Sequence, residues 1–222
     1  MGDFIKATAS DGHILDVYLA QAKGSPKGGI VLIQEIFGVN SHIKSVANQY
    51  ASEGYLVGAP SLFDRIETNI RLCYNPEDVA HGKELKKSVG NENPLLDIQA
   101  TLNIVKSAGK VAAIGYCWGG TLTWLSSCQV PGFSAAASYY GGGIGALAFM
   151  QPKCPTIFHF GENDHAIPLT DIDTLKSAQP KCPIYLYPAG HGFNCEQRDS
   201  FHSSSSKIAL ERTIEHVEHN IT

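Results

Sequence analysis

The chain has 222 residues, 43% of them hydrophobic and 9% aromatic, and a formal net charge of -4 with the signs interspersed. That suits one α/β domain over residues 1–222, with apolar material enough to cover both faces of a sheet, and it excludes disorder. No basic stripe marks a nucleic-acid surface, no apolar run reaches membrane-spanning length, and Met-Gly-Asp-Phe-Ile-Lys is not a basic segment leading into an apolar core; the expectation is a cytoplasmic monomer with neither nucleic acid nor membrane as partner. The six cysteines, at 73, 117, 128, 154, 182 and 195, form no CxxC pair, which points to reduced thiols.

In chain order, apolar runs at 4–9 and 13–19 flank Ser10-Asp11-Gly12 and predict an antiparallel hairpin. Gly29-Ile-Val-Leu-Ile-Gln34 is a short continuous apolar run, the signature of a strand buried on both faces. Asn40 or Ser41 caps a helix to about Glu53 with Ile43, Val46, Ala47, Tyr50 and Ala51 on one face, and Tyr55–Ala59 returns as a strand. From Pro60 to Asn75 no period is clear, and Arg65 and Arg71 sit there in a predicted loop. Helices follow at about 76–89 and 93–107, the second with Leu95, Ile98, Leu102 and Val105 in one stripe. Strands are predicted near 110–114, 133–140, 155–160 and 183–187, and a last helix over about 203–220 has Ser203–Ser206 as its cap. Alternating strand and helix imply a mostly parallel central sheet with helices on both faces and the N-terminal antiparallel hairpin at its edge.

Gly115-Tyr116-Cys117-Trp118-Gly119 lies between an apolar strand and a helix. A side chain at the tip of so tight a turn is pushed out over the carboxyl end of the sheet, and small flanking residues let strand and helix approach. Cys117 is therefore the candidate nucleophile, and the backbone N–H of Trp118 at the helix N-terminus is a candidate oxyanion donor. Two later strands end in Gly161-Glu-Asn-Asp164 and in Gly190-His191-Gly192-Phe193. With Cys117 they place nucleophile, acid and histidine in the chain order of an α/β-hydrolase triad, each just after a strand. The acid is Glu162 or Asp164, and the reach of a Gly-x-x-Asp loop favours Asp164. The histidines at 13, 42, 81, 202, 216 and 219 read as surface or helix residues, and none has zinc-ligand spacing, so neither metal nor other cofactor is implied.

Gln34-Glu35-Ile36-Phe37-Gly38, the cysteine elbow running on to Gly120, the Gly161–Asp164 loop and Gly190-His191-Gly192-Phe193 together resemble the dienelactone hydrolase (carboxymethylenebutenolidase) family of α/β-hydrolases. The resemblance implies an α/β-hydrolase fold and a cysteine-dependent hydrolase that opens an activated enol-lactone to a keto acid through an acyl-enzyme. It implies a triad of Cys117, Asp164 and His191, with the oxyanion held by the N–H groups of Ile36 and Trp118. Glu35 is implied to contact the nucleophile in the resting enzyme, keeping the thiol protonated, and to move when substrate arrives, drawing off the thiol proton. It also implies two arginines that bind a substrate carboxylate. Arg65 matches the first; at the second the family has an arginine four places after the histidine, where this chain has Cys195, with Arg198 three places on. The implied partner is a small ester or lactone, anionic if that clamp is retained. Alternatives are a hydrolase of another small ester or lactone using the same triad, and a non-catalytic ligand sensor on this fold.

Overall fold

The strands are β1 (Asp3–Thr8), β2 (Ile14–Ala20), β3 (Gly28–Ile33), β4 (Tyr55–Pro60), β5 (Val111–Tyr116), β6 (Phe133–Tyr139), β7 (Thr156–Gly161) and β8 (Ile184–Tyr187). In the computed structural model, which describes residues 2–222, they form one sheet in the order β1-β2-β4-β3-β5-β6-β7-β8. β1–β2 and β2–β4 pair antiparallel, and every pair from β4–β3 to β7–β8 is parallel. Parallel strands need crossovers, and the helices that supply them cover the sheet. They are α1 (Ser41–Ser52), α2 (Pro76–Val89), α3 (Asn93–Val105), α4 (Trp118–Gln129), α5 (Leu169–Ala178) and α6 (Ser203–Ile221).

The continuous apolar runs are explained by burial on two sides. Every residue of β3 and β5 is buried, and alternate β3 residues serve opposite cores. Ile30 and Leu32 pack with Ile43, Val46 and Tyr50 of α1 and Val217 of α6. Val31 and Ile33 pack with Leu95, Ile98 and Leu102 of α3 and with Leu122 and Leu125 of α4. The cap on α1 is Asn40, whose side-chain oxygen accepts from the Ile43 N–H at 3.2 Å. None of the described helices is long and apolar enough to cross a membrane.

Two local expectations change. Ser203–Ser206 lie inside the first turns of α6, whose cap position is His202, and the buried stripe is Ser205, Ala209, Thr213, Val217 and Ile221, leaving Ile208 exposed. His42 is in a helix as expected but is buried, because it falls one turn before Val46 on the face that α1 turns inward.

Arg65 does not line the cavity at Cys117. It lies in a single 3-10 turn, Leu62–Arg65, and its guanidinium donates from Nε and Nη2 to both carboxylate oxygens of Asp97 on α3, each at 2.8 Å, and from Nη1 to Asp11 at 2.7 Å. The Asp97 side chain is fully buried, so the fork neutralises a charge that water cannot reach and ties the β1–β2 turn to α3. Removing one partner strands a buried carboxylate. Arg65→Ala is therefore expected to cost about 3 kcal/mol of stability, read as a lowered urea midpoint, with little change in affinity for anionic esters. An unchanged midpoint with lost anion affinity would return Arg65 to the substrate.

Candidate active site

The elbow follows from steric exclusion. Cys117 stands at the N-cap of α4 with φ 55° and ψ -119°, a conformation that L side chains rarely adopt. A Cβ on Gly115 would overlap the Gly119 carbonyl, one on Gly119 the Ile33 and Gln34 carbonyls, and one on Gly120 the Tyr139 carbonyl. Glycine at those three positions lets α4 begin against β5, β3 and β6 at once. The Cys117 N–H donates to the Tyr139 carbonyl at 3.0 Å and fixes the tip over the sheet.

The other two groups come from the neighbouring strand ends. After β7 the chain turns so that Asp164 is buried while Glu162 is exposed, and the Ala166 N–H donates to Asp164 Oδ1 at 2.8 Å. Beyond β8, His191 Nδ1 lies 2.7 Å from Asp164 Oδ2, and its Nε2 lies 3.1 Å from Cys117 Sγ. The Tyr140 ring meets the imidazole edge-on, with ring centres 5.1 Å apart. Three strand ends thus bring Cys117, His191 and Asp164 into one line of contacts. Burial of His191 opposes its charge, but the Cys117 charge and the hydrogen bonds to Asp164 and Cys117 outweigh it, so the imidazole pKa is pushed up to about 10. The protonated form of the His191 ring is thereby favoured beside Sγ.

Glu35, immediately beyond β3, is buried, and its Oε1 lies 3.6 Å from Arg198 Nη1. Burial raises its pKa, and Arg198 and His191 act in the opposite sense. The resemblance implies a resting contact between Glu35 and the nucleophile; here neither carboxyl oxygen has a hydrogen-bond partner among the described residues, and Sγ faces His191. Attraction to the guanidinium accounts for that orientation. Arg198 is itself held over Phe37 and Tyr74, at 5.9 and 5.7 Å from their ring centres. A side chain at Gly192, where φ is +77°, would collide with that guanidinium. Arg198 therefore does bend back to the site from its later position in the chain.

Behind Glu35 lie His42 and Cys195, with one donor atom from each of the three within 4.8 Å of the others. Oxygen, nitrogen and sulfur of this kind can ligate zinc. Burial, with Arg198 adding to it, lowers the His42 pKa to about 4, and burial, with Glu35 adding to it, pushes Cys195 up to about 11. In this state the Cys195 thiol keeps its proton and Glu35 faces the Arg198 guanidinium, so a cation bound there would have to displace the one and compete with the other.

A cavity of about 580 Å³ opens at Cys117 and His191, with Ile36, Phe37 and Trp118 on its apolar side. Its lining includes Arg198 but neither Arg65 nor Arg71, and Arg71 lies over the Phe4 ring at 4.9 Å. Lys83 and Lys86 of α2 also line it, and sequence reasoning did not single them out. Their place follows from how α2 packs: the buried residues Gly82, Leu85 and Val89 share one face, and a side chain at Gly82 would overlap the Ile36 carbonyl, so α2 is seated directly on the loop beside Cys117.

An eight-stranded, mostly parallel sheet with an antiparallel edge, a strained cysteine elbow on β5 and helices on both faces defines the chain as an α/β-hydrolase. A solved structure of a provisionally named dienelactone hydrolase from Klebsiella pneumoniae is similar, with a TM-score of 0.82 and 28% identity over 96% of this chain and 98% of that one. The model of the dienelactone hydrolase family matches residues 15–221, and the chain belongs to that family, whose members hydrolyse ester bonds. A provisionally named carboxymethylenebutenolidase from Synechocystis sp. is 32% identical over 203 residues, 82% of each chain. The carboxymethylenebutenolidase of Pseudomonas putida is 28% identical, over 95% of this chain and 94% of its own length.

Proposed function

We propose that the protein is a cysteine-dependent hydrolase that opens an activated enol-lactone, or a closely related activated ester, through an acyl-enzyme. The observation that carries this reading is the approach of His191 Nε2 to Cys117 Sγ at 3.1 Å, with Asp164 at 2.7 Å behind the same ring. The Cys117 thiolate adds to the lactone carbonyl carbon, and the oxyanion is held by the N–H groups of Ile36 and Trp118, both beside Cys117 in the cavity. Collapse breaks the ring C–O bond and expels an enolate, which takes the Nε2 proton of the His191 imidazolium and becomes the ketone. An enolate is a good enough leaving group for this; an alkoxide is not, because sulfur departs first.

Deacylation uses the same imidazole in its other form. The Cys117 charge is one of the causes that raise the His191 pKa, and it disappears when sulfur is acylated. The imidazolium therefore gives up its proton to the enolate more readily, and the neutral ring accepts one from the attacking water while Asp164 keeps it oriented. Collapse then breaks the C–S bond to release the acid and the Cys117 thiolate. In this reading Glu35, turned toward Arg198 with burial favouring its neutral form, leaves the thiolate unopposed.

The test is a panel of enol-lactones, aryl esters and simple alkyl esters. The expected pattern is turnover of the first two, with a burst of about one product per enzyme from the aryl ester, and little alkyl ester hydrolysis. Efficient alkyl ester hydrolysis without a burst would reject it.

A further inference from the structure

Arg65 is committed to Asp97 and Asp11, and Arg198 faces Glu35 across 3.6 Å, so the two arginines that the resemblance supplies for an anion are both engaged elsewhere. The cavity is nonetheless cationic. Lys83 and Lys86 line it alongside Arg198, and no described carboxylate does. Neither lysine forms an ion pair with a described residue, although α2 carries acidic residues of its own. Three residues apart, they stand on neighbouring turns of one helix face. Their helix is also fixed in place: Gly82, the residue before Lys83, sits against the Ile36 carbonyl, next to the proposed oxyanion donor. The helix backbone that carries the lysines is thus set relative to the nucleophile, with Lys83 exposed and Lys86 half-buried across from an apolar floor of Ile36, Phe37 and Trp118.

Unpaired cations at the rim of a low-dielectric cavity raise its potential and draw in anions. A lysine ammonium is a point charge on a flexible stem, so two of them bind a carboxylate without the fixed planar geometry that an arginine fork demands. We propose that Lys83 and Lys86 are the specificity-determining residues of this site, and that they select activated esters or lactones with a carboxylate at the end away from the scissile carbonyl. The inference rests on the proposed cysteine hydrolase reading, and it transfers anion recognition from the loop after β4 to helix α2.

The experiment compares 4-nitrophenyl hemisuccinate with its uncharged methyl succinate counterpart. The wild type is expected to prefer the anionic ester, and rising ionic strength to reduce that preference. In the Lys83→Ala/Lys86→Ala variant the ratio of the two kcat/KM values should fall about tenfold or more, mainly through KM for the anionic ester, a change of about 1.4 kcal/mol. Lys83→Arg/Lys86→Arg should retain most of it. No preference in the wild type, or an unaltered ratio in the double alanine variant, would overturn the proposal. A parallel measurement needs no turnover: the rates at which iodoacetate and iodoacetamide alkylate Cys117, with the site confirmed by peptide mass. The iodoacetate-to-iodoacetamide ratio should drop in the double alanine variant, and an unchanged ratio counts against the lysines. Should wild type hydrolyse neither ester, the hydrolase reading fails, and the alkylation ratio still decides whether the lysines set the field at Cys117.

Discussion

Cys117→Ala is expected to lower kcat/KM for an activated aryl ester by about a millionfold, the scale seen when a nucleophile that works with its base as one unit is removed. The loss follows from geometry: Sγ is the atom at the elbow tip that faces His191 Nε2, and among the described residues no other cysteine lines the cavity. The fold should survive, because both side chains meet the same backbone strain at φ 55° and alanine is the smaller. Circular dichroism and a melting curve establish that the variant is folded, and steady-state kinetics then give the loss. A folded variant that retains a few per cent of the activity would show that hydrolysis proceeds without the sulfur.

Asp164→Asn is expected to cost about ten-thousandfold in kcat, because an amide can turn the imidazole to the wrong tautomer while leaving its position unchanged. Burial opposes charge on His191, and the Cys117 charge and the hydrogen bonds to Asp164 and Cys117 raise its pKa to about 10. Removing the Asp164 charge removes part of what raises it, so the imidazole should lose its proton at lower pH than in the wild type. NMR titration of the His191 ring measures that midpoint. A small kinetic loss together with an unmoved midpoint would mean that Asp164 only packs beneath the ring.

What the sequence made legible was set by local sterics and period. The elbow was readable because three glycines are required wherever a helix starts against three strands, and the strands because β3 and β5 are buried on both faces. The order of Cys117, Asp164 and His191 was readable because each follows a strand, and the structure brings all three together. Pairings between distant segments were not readable. Nothing near Arg65 indicates that Asp97 is waiting on α3, and a buried carboxylate attracts a guanidinium more strongly than an open cavity does. The inward turn of His42 and the seating of Lys83 and Lys86 beside the cavity depend on which face of α1 or α2 is covered, and that is decided by the partner element.

In the proposed mechanism a thioester forms at Cys117 Sγ and is then released by water. Wild-type protein mixed with a 4-nitrophenyl ester, quenched in acid at the end of the burst and digested should show the acyl mass on the peptide that contains Cys117, and the mass should persist through steady-state turnover and vanish once the ester is exhausted. Sustained turnover with no acyl mass on that peptide, or with the acyl mass on another residue, would contradict the account.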